Sequence, residues 1–387
     1  MKNIQYLNFY TWAWILYLLQ GIVYPSGIIG QMLFLIIIAF GFYAMFNVLF
    51  QKKNPIFFKF LTLLVLMYTV YGIALILKGP VRGAAQVDDY STLTYLKTYL
   101  LSLTPIYVYY YFSCKKILSE SWLRKYSFVF LLLSVAVFLH NQMQMQALTG
   151  NDEITNNASY GFVALLPISI FWSKKPIVQY LIIGIAAIFT LVSMKRGAIL
   201  VFTLSVLPII VASLKNSNTK TKVFTFLGVL VFVYVIYITI QDLISTSDLF
   251  ALRIEQTLEG KSSNRDIIYE ELWSAFGDYN VFDSLFGRGA DASISIAGKL
   301  AHNDWLETLI DQGLAGILVF FLFWMSMLHT FFQTKKGTIA SLAILVIFIS
   351  GFSRTWFSMS IGQMSIYYTA VLGYCLVGDN FKERSKK

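Results

Sequence analysis

Apolar runs of about 20 residues, the length a helix needs to cross a bilayer core of about 30 Å, recur along nearly the whole chain. Twelve of them lie at 7–23, 27–49, 55–77, 93–113, 126–143, 157–173, 176–193, 197–214, 223–240, 313–333, 337–353 and 355–377. Some are short or share a brief turn, so ten or eleven spans also fit. Of the 387 residues, 57% are hydrophobic and 13% charged, against about 45–50% and about 25% in a soluble domain. A soluble fold of this length cannot bury so much apolar surface and still cover itself with polar groups. A soluble enzyme, a disordered chain and a disulfide scaffold are therefore excluded. The expected fold class is all-α, a polytopic integral membrane bundle of about 12 transmembrane helices that has the lipid bilayer as a partner.

The charges set an orientation. Lys52 and Lys53 follow the second run, Lys115, Lys116, Arg124 and Lys125 the fourth, Lys174 and Lys175 the sixth. Lys215, Lys220 and Lys222 follow the eighth, Lys335 and Lys336 the tenth, and Lys382, Arg384, Lys386 and Lys387 end the chain. Basic loops stay on the cytoplasmic side, so both termini are expected there. Of the 20 acidic residues, 17 fall in the opposite loops, beginning with Asp88, Asp89, Asp152 and Glu153. The +10 net charge is thus read as short loops facing anionic headgroups, with no nucleic-acid partner. Residues 1–27 resemble a signal peptide in their Lys2 and apolar run, but the run is long and no small-residue cleavage site follows Tyr24-Pro25. They read as the first span. Cys114 and Cys375 both fall near the cytoplasmic side, which points to free thiols. Two Cys and three His at these spacings make no metal cluster.

The domain expectation follows: spans one to nine over 1–240, an outward loop with short helices at 241–312, then three spans and a cytoplasmic tail over 313–387. That loop carries 13 acidic residues, and loops of such length are usually functional. Ser262-Ser263-Asn264-Arg265-Asp266 reads as a helix start, with Ser263 and Asp266 at capping-box spacing. Ile268, Leu272, Trp273 and Phe276 then form an apolar face, lying on the membrane or against the bundle. Gly287-Arg288-Gly289 reads as a flexible turn. A second helix is expected from near Ala301 through Glu307 towards the tenth span, broken or bent at Gln312-Gly313.

Few residues are left to carry chemistry. Lys195 and Arg196 share a very short outward turn. Snorkelling to headgroups explains Lys195; Arg196 reads equally as a headgroup contact or a functional cation, because short outward loops disfavour positive charge. His302 has a side chain able to take a proton near neutral pH. Asp304 and Glu307 lie close by in sequence with their pairing open, and a merely hydrogen-bonded histidine is the plainer reading. His140 with Asn141, and His329, read as interfacial or bundle-facing polar residues. Lys97 can snorkel outward. Arg82 and Arg354 join Lys195 and Arg196 on the outer side, as an anion pocket or as scattered headgroup contacts. No Walker loop is present, and carboxylates within the spans are almost missing.

Several landmarks together carry a resemblance. Lys195-Arg196-Gly197-Ala198, Arg265 with Trp273, Gly287-Arg288-Gly289, His302-Asn303-Asp304-Trp305-Leu306 and Gly313-Leu314-Ala315-Gly316 follow one another in that order. This resembles the O-antigen ligase and O-antigen polymerase family of bacterial membrane glycosyltransferases, over about 180–325. Lys195 departs from the family's commoner Ser. The resemblance implies a multi-pass protein of the bacterial inner membrane with its active site on the periplasmic side. It implies an undecaprenyl-pyrophosphate-linked glycan as donor, a glycan acceptor, and no nucleotide sugar, metal or other cofactor. A chain-length regulator protein is a further partner it leaves open. By resemblance, Arg196 and Arg265, with Lys195, hold the leaving pyrophosphate, and His302 serves as base or positioning acceptor. Asp304, Arg288, Arg354 and Arg82 are accessory candidates. Polymerase, extending a lipid-linked repeat unit by a single inverting displacement, is the preferred reading. A ligase acting on lipid A–core is the first alternative, and a polysaccharide or lipid-linked glycan flippase, a transporter, is the second. Twelve spans suit transport, but no internal repeat or central cytoplasmic connection is seen. Trp305 reads as a sugar platform or an interfacial anchor, Tyr269 as an anchor.

Overall fold

A computed structural model describes residues 2–23, 27–50, 55–78, 92–149, 155–216, 219–246, 251–252, 255, 265–299, 301–352 and 361–377. Helices dominate, and no strand occurs among the described residues. In chain order they are α1 (Lys2–Val23), α2 (Ile28–Leu49), α3 (Ile56–Lys78), α4 (Thr92–Leu103), α5 (Pro105–Cys114) and α6 (Glu120–Thr149). Then come α7 (Ser159–Val163), α8 (Leu166–Ser169), α9 (Pro176–Val192), α10 (Arg196–Asn216) and α11 (Thr219–Thr246). After the loop's start follow α12 (Arg265–Gly277), α13 (Val281–Phe286), α14 (Ala292–Ala297), α15 (Asp304–Gln333), α16 (Ile339–Phe352) and α17 (Ile361–Cys375).

Among the described residues, five helices are long and apolar enough to cross a membrane: Ile28–Leu49, Ile56–Lys78, Glu120–Ala147, Arg196–Lys215 and Asp304–Gln333. Ser159–Trp172, Pro176–Val192 and Ile339–Phe352 are shorter apolar helices. The chain is an all-α polytopic membrane protein. Two of the sequence-read spans are interrupted. The run at 93–113 breaks into α4 and α5 where Pro105 cannot donate to the ladder. The run at 157–173 divides into α7, α8 and a 3-10 turn at Ile170–Trp172 around Pro167. Residues 158–171 are buried throughout, so neighbouring helices rather than lipid surround this broken segment.

Lipid offers no hydrophobic drive between helices, so polar hydrogen bonds and close packing hold such a bundle. Tyrosines supply them here. The Tyr107 hydroxyl pairs with Thr62 at 2.7 Å, Tyr109 with Thr11 at 3.2 Å and Tyr367 with Ser134 at 2.8 Å, and Tyr368 donates to Ser350 at 2.6 Å. The opposite faces carry exposed apolar side chains such as Ile28, Met32, Leu35 and Leu132, as lipid contact requires. Cys114 is exposed and Cys375 buried, both as free thiols.

The antiparallel helices define two ends. At one lie the α9–α10 turn, the start of α15 and the last residue of α16, Phe352. At the other lie the starts of α9 and α16 and the last turns of α10 and α15. Helices α12 to α14 cover the first end and pack on α15. Their small core is Leu272, Tyr279, Ala292, Ala301, Leu306, Leu309 and Ile310, with Ile268, Tyr269 and Phe276 against it. Of the apolar face read from the sequence, Trp273 is the exception. It is 56% exposed and meets Phe276 edge-on, since Leu272 occupies the contact with α15. The Ser263 cap lies outside the described residues.

Candidate functional site

The site grows from the first turn of α15. Asn303 caps the helix, its Oδ1 accepting the N–H groups of Trp305 at 3.2 Å and Leu306 at 3.5 Å, donors the helix cannot satisfy itself. One residue earlier, His302 has φ +53°, a left-handed conformation that costs a residue with a Cβ about 1–2 kcal/mol. Glu307 offsets that cost. Its Oε1 accepts the His302 N–H at 2.8 Å, a capping box displaced by one residue. The half-buried imidazole therefore projects from a junction whose backbone is tied from within the same helix. Trp305 is an anchor: its Nε1 donates to the Phe352 carbonyl at 3.1 Å, and its ring meets Phe320 and Phe352 edge-on at 4.6 and 5.2 Å.

Asp304, Glu307 and Asp311 fall three and four residues apart, on one helical face. They are 2%, 5% and 4% exposed. Thr308 and Gln312 share that face. The Thr308 hydroxyl pairs with Tyr68 at 3.1 Å, and Gln312 Nε2 donates to the Tyr95 hydroxyl at 2.6 Å. Tyr99 stacks on Tyr68 with ring centroids 3.6 Å apart. Sequence reasoning left the pairing of Glu307 open, named Gln312 only as part of a helix break, and singled out none of Asp311, Tyr68 and Tyr95. The signal was there in the acidic spacing just ahead of a span.

Asp311 organises the preceding loop. Its Oδ1 accepts the Ser293 N–H at 2.8 Å and its Oδ2 that of Asp291 at 3.1 Å. Its carbonyl accepts from Gly289 at 3.0 Å, and that of Ile310 accepts from Arg288 at 3.2 Å and from the Tyr279 hydroxyl at 3.2 Å. This corrects the reading of Gly287-Arg288-Gly289 as a flexible turn. Every one of its N–H groups is hydrogen-bonded, Gly287 to the Asp283 carbonyl at 2.7 Å. Gly287 (φ +74°) and Gly313 (φ +65°) let the two backbones cross in contact. A Cβ on Gly287 would overlap the Asp311–Gln312 backbone, and one on Gly313 would lie 2.6 Å from the Gly287 nitrogen. Gly313 is also where α15 breaks, as expected, so the apolar stretch after it is the span. Tyr71 on α3 donates to the Phe286 carbonyl and ties the loop to the bundle.

Arg288 is held over the Tyr279 ring at 4.3 Å with its Nε 3.6 Å from Asp283. Burial pushes the Tyr279 hydroxyl up to about 12 despite the guanidinium beside it, so that hydroxyl keeps its proton for Ile310. Arg265 is the half-buried first residue of α12. Arg196 opens α10 directly after a tight turn in which Met194 has φ +52° and the Lys195 N–H meets Ser193 Oγ at 3.2 Å. Asn156 braces that turn: its N–H donates to the Ser193 carbonyl at 3.0 Å and its Nδ2 to the Phe138 carbonyl at 2.9 Å. The Tyr160 hydroxyl stands 2.6 Å from where a Cβ on Gly197 would lie. Lys195 and Arg196 are half-buried.

The structure thus groups His302, Asp304 and Arg288 around one helix and sets Lys195 and Arg196 at the same end of the bundle. The link is α16, which packs against α10 and ends at the Phe352 carbonyl that holds Trp305. Arg82 and Arg354 lie outside the described residues. His140 is half-buried on α6, and His329 sits at the far end of α15 with its Nε2 2.8 Å from Gln333. Lys97 lies 6.0 Å from the Phe34 ring. Among the described residues no three His, Cys, Asp or Glu side chains are grouped to hold a metal ion.

Residues 180–321 match the family model described as O-antigen ligase. The match supports the O-antigen ligase and polymerase family and, coarsely, its ligase- or polymerase-type function in a membrane. It spans Arg196, Arg265, Arg288 and His302 together. No curated protein matches the chain.

Proposed function

We propose that this protein is a surface-polysaccharide polymerase of the inner membrane, with both termini cytoplasmic and its site at the periplasmic face. It transfers an undecaprenyl-pyrophosphate-linked glycan to a lipid-linked repeat unit. The observation that carries this reading is the family match over 180–321, in which a tethered His302 and a braced Arg196 open helices at the same end of the bundle. In the reaction an acceptor hydroxyl attacks the anomeric carbon. A carbon–oxygen bond forms as the bond to the pyrophosphate oxygen breaks, and the lipid pyrophosphate leaves. His302 accepts the hydroxyl proton. Arg196 and Arg265, helped by Lys195, neutralise the charge growing on the leaving group, a task that suits the guanidinium fork. One displacement inverts the anomeric centre. Asp304 and Arg288 support the site. Because His302 enters from a rigid backbone, orientation adds to its basicity.

The family's description as O-antigen ligase favours a second reading, transfer of the finished glycan to lipid A–core. One experiment separates the two. Purified protein is given a single lipid-linked repeat unit and the products are sized on a gel. A ladder, abolished in Arg196→Ala and in His302→Ala, supports the polymerase. Product only when lipid A–core is added supports the ligase. Wild-type turnover in either folded variant overturns the assigned role of that residue.

A further inference from the structure

At the end of the bundle opposite His302, a cavity of about 540 Å³ opens between α9, α10, α15 and α16. That volume lies in the range of small-molecule sites, about 300–1,000 Å³. Its rim carries Lys174 and Lys336, from two different connections. Ser173, Ser213 and Thr338 add hydroxyls. The walls below are apolar, including Phe331, Phe332 and Leu345, and Phe332 is 61% exposed on the side of the bundle.

Gln179 lines the cavity and is 2% exposed, and its carboxamide brings both hydrogen-bond donors and an acceptor to the wall. The starts of α9 and α16 also border it, at Pro176 and Ile339, so helix N-termini add to the positive potential.

We infer that this cavity binds the phosphate headgroup of an anionic phospholipid, with Lys174 and Lys336 on the phosphate and Gln179 on its ester or glycerol oxygens. A lipid fits better than free phosphate because the cationic rim sits on an apolar wall that continues to the exposed Phe332. The basic loops of this end, among them Lys175, Lys215 and Lys335, face the leaflet that supplies such lipids. The site is independent of the glycan chemistry at the opposite end.

The test is native mass spectrometry of the full chain in detergent, titrated with phosphatidylglycerol, with phosphatidylcholine and with inorganic phosphate. Phosphatidylglycerol is expected to bind in preference to phosphatidylcholine, and to lose about tenfold or more in affinity in the Lys174→Glu, Lys336→Glu double variant. Both lysines are exposed, so folding is not at risk. Gln179→Leu, of similar volume, is expected to narrow the preference between the two lipids. Equal binding of both lipids, displacement of the lipid by millimolar phosphate, or unchanged affinity in the double variant would overturn the proposal. Unchanged lipid preference in Gln179→Leu would remove Gln179 from the site.

Discussion

The two ends of α15 are built on opposite plans. At its start, three buried acidic side chains lie on one face, and two of them accept backbone N–H groups from the preceding loop: Glu307 from His302, Asp311 from Asp291 and Ser293. At its finish, lysines rim an open cavity that the buried Gln179 also lines. One end uses its carboxylates to hold its own chain; the other sets its lysines around a cavity. Rigidity is what a site needs when a hydroxyl must meet an anomeric centre within a fraction of an ångström. A headgroup site tolerates more freedom, because a phosphate is satisfied from several directions.

Several measurements would break or sharpen this contrast. The largest effect is expected for His302→Ala, a fall in transfer of about 10²–10⁴-fold with unchanged melting in detergent. Equal activity would place the chemistry elsewhere. Gly287→Ala comes next. Its Cβ meets the Asp311–Gln312 backbone at a positive φ, so a local cost of about 3 kcal/mol or more is expected. Limited proteolysis should then cut within 278–300 while phosphatidylglycerol binding at the other end persists. If both ends fail together, they are not independent.

Asp311→Ala leaves the Asp291 and Ser293 N–H groups without their acceptor, at about 1–3 kcal/mol each. Hydrogen exchange in 287–295 should quicken, and Asp311→Asn should recover part of the protection. Glu307→Ala frees the His302 backbone and should lower the turnover rate more than it changes donor affinity, with partial rescue in Glu307→Gln. A pure affinity change would show that the tether does not serve the imidazole. The smallest effect belongs to Arg288→Lys, which weakens the ring contact with Tyr279 and the partial pair with Asp283. About 0.5–1 kcal/mol is expected from thermal melting.

Much of this architecture was legible in the chain. The apolar runs announced the helices, and Gln312-Gly313 announced the break in α15, because φ preference and hydropathy are local properties. His302 and Arg196 stood out as polar groups in an apolar setting and by their place in a family pattern. Asp311 did not, since a carboxylate is ordinary in an acidic loop until its neighbours are known. Trp305 was undecided for the same reason: only the position of Phe352, 47 residues away in sequence, shows what its indole N–H reaches.

The amino-acid sequence by itself determined that this chain lives in a membrane as a helical bundle, with a long acidic segment before its last spans, since hydropathy and charge act residue by residue. The tertiary structure alone decided which groups became buried partners. The crossing of Gly287 with Gly313, the clasp of Asp311, the meeting of Thr308 with Tyr68 and the cavity that Gln179 lines all depend on elements apart in sequence. A hydrogen bond inside a bundle needs two partners brought within about 3 Å, and no local pattern states which helix the second one comes from.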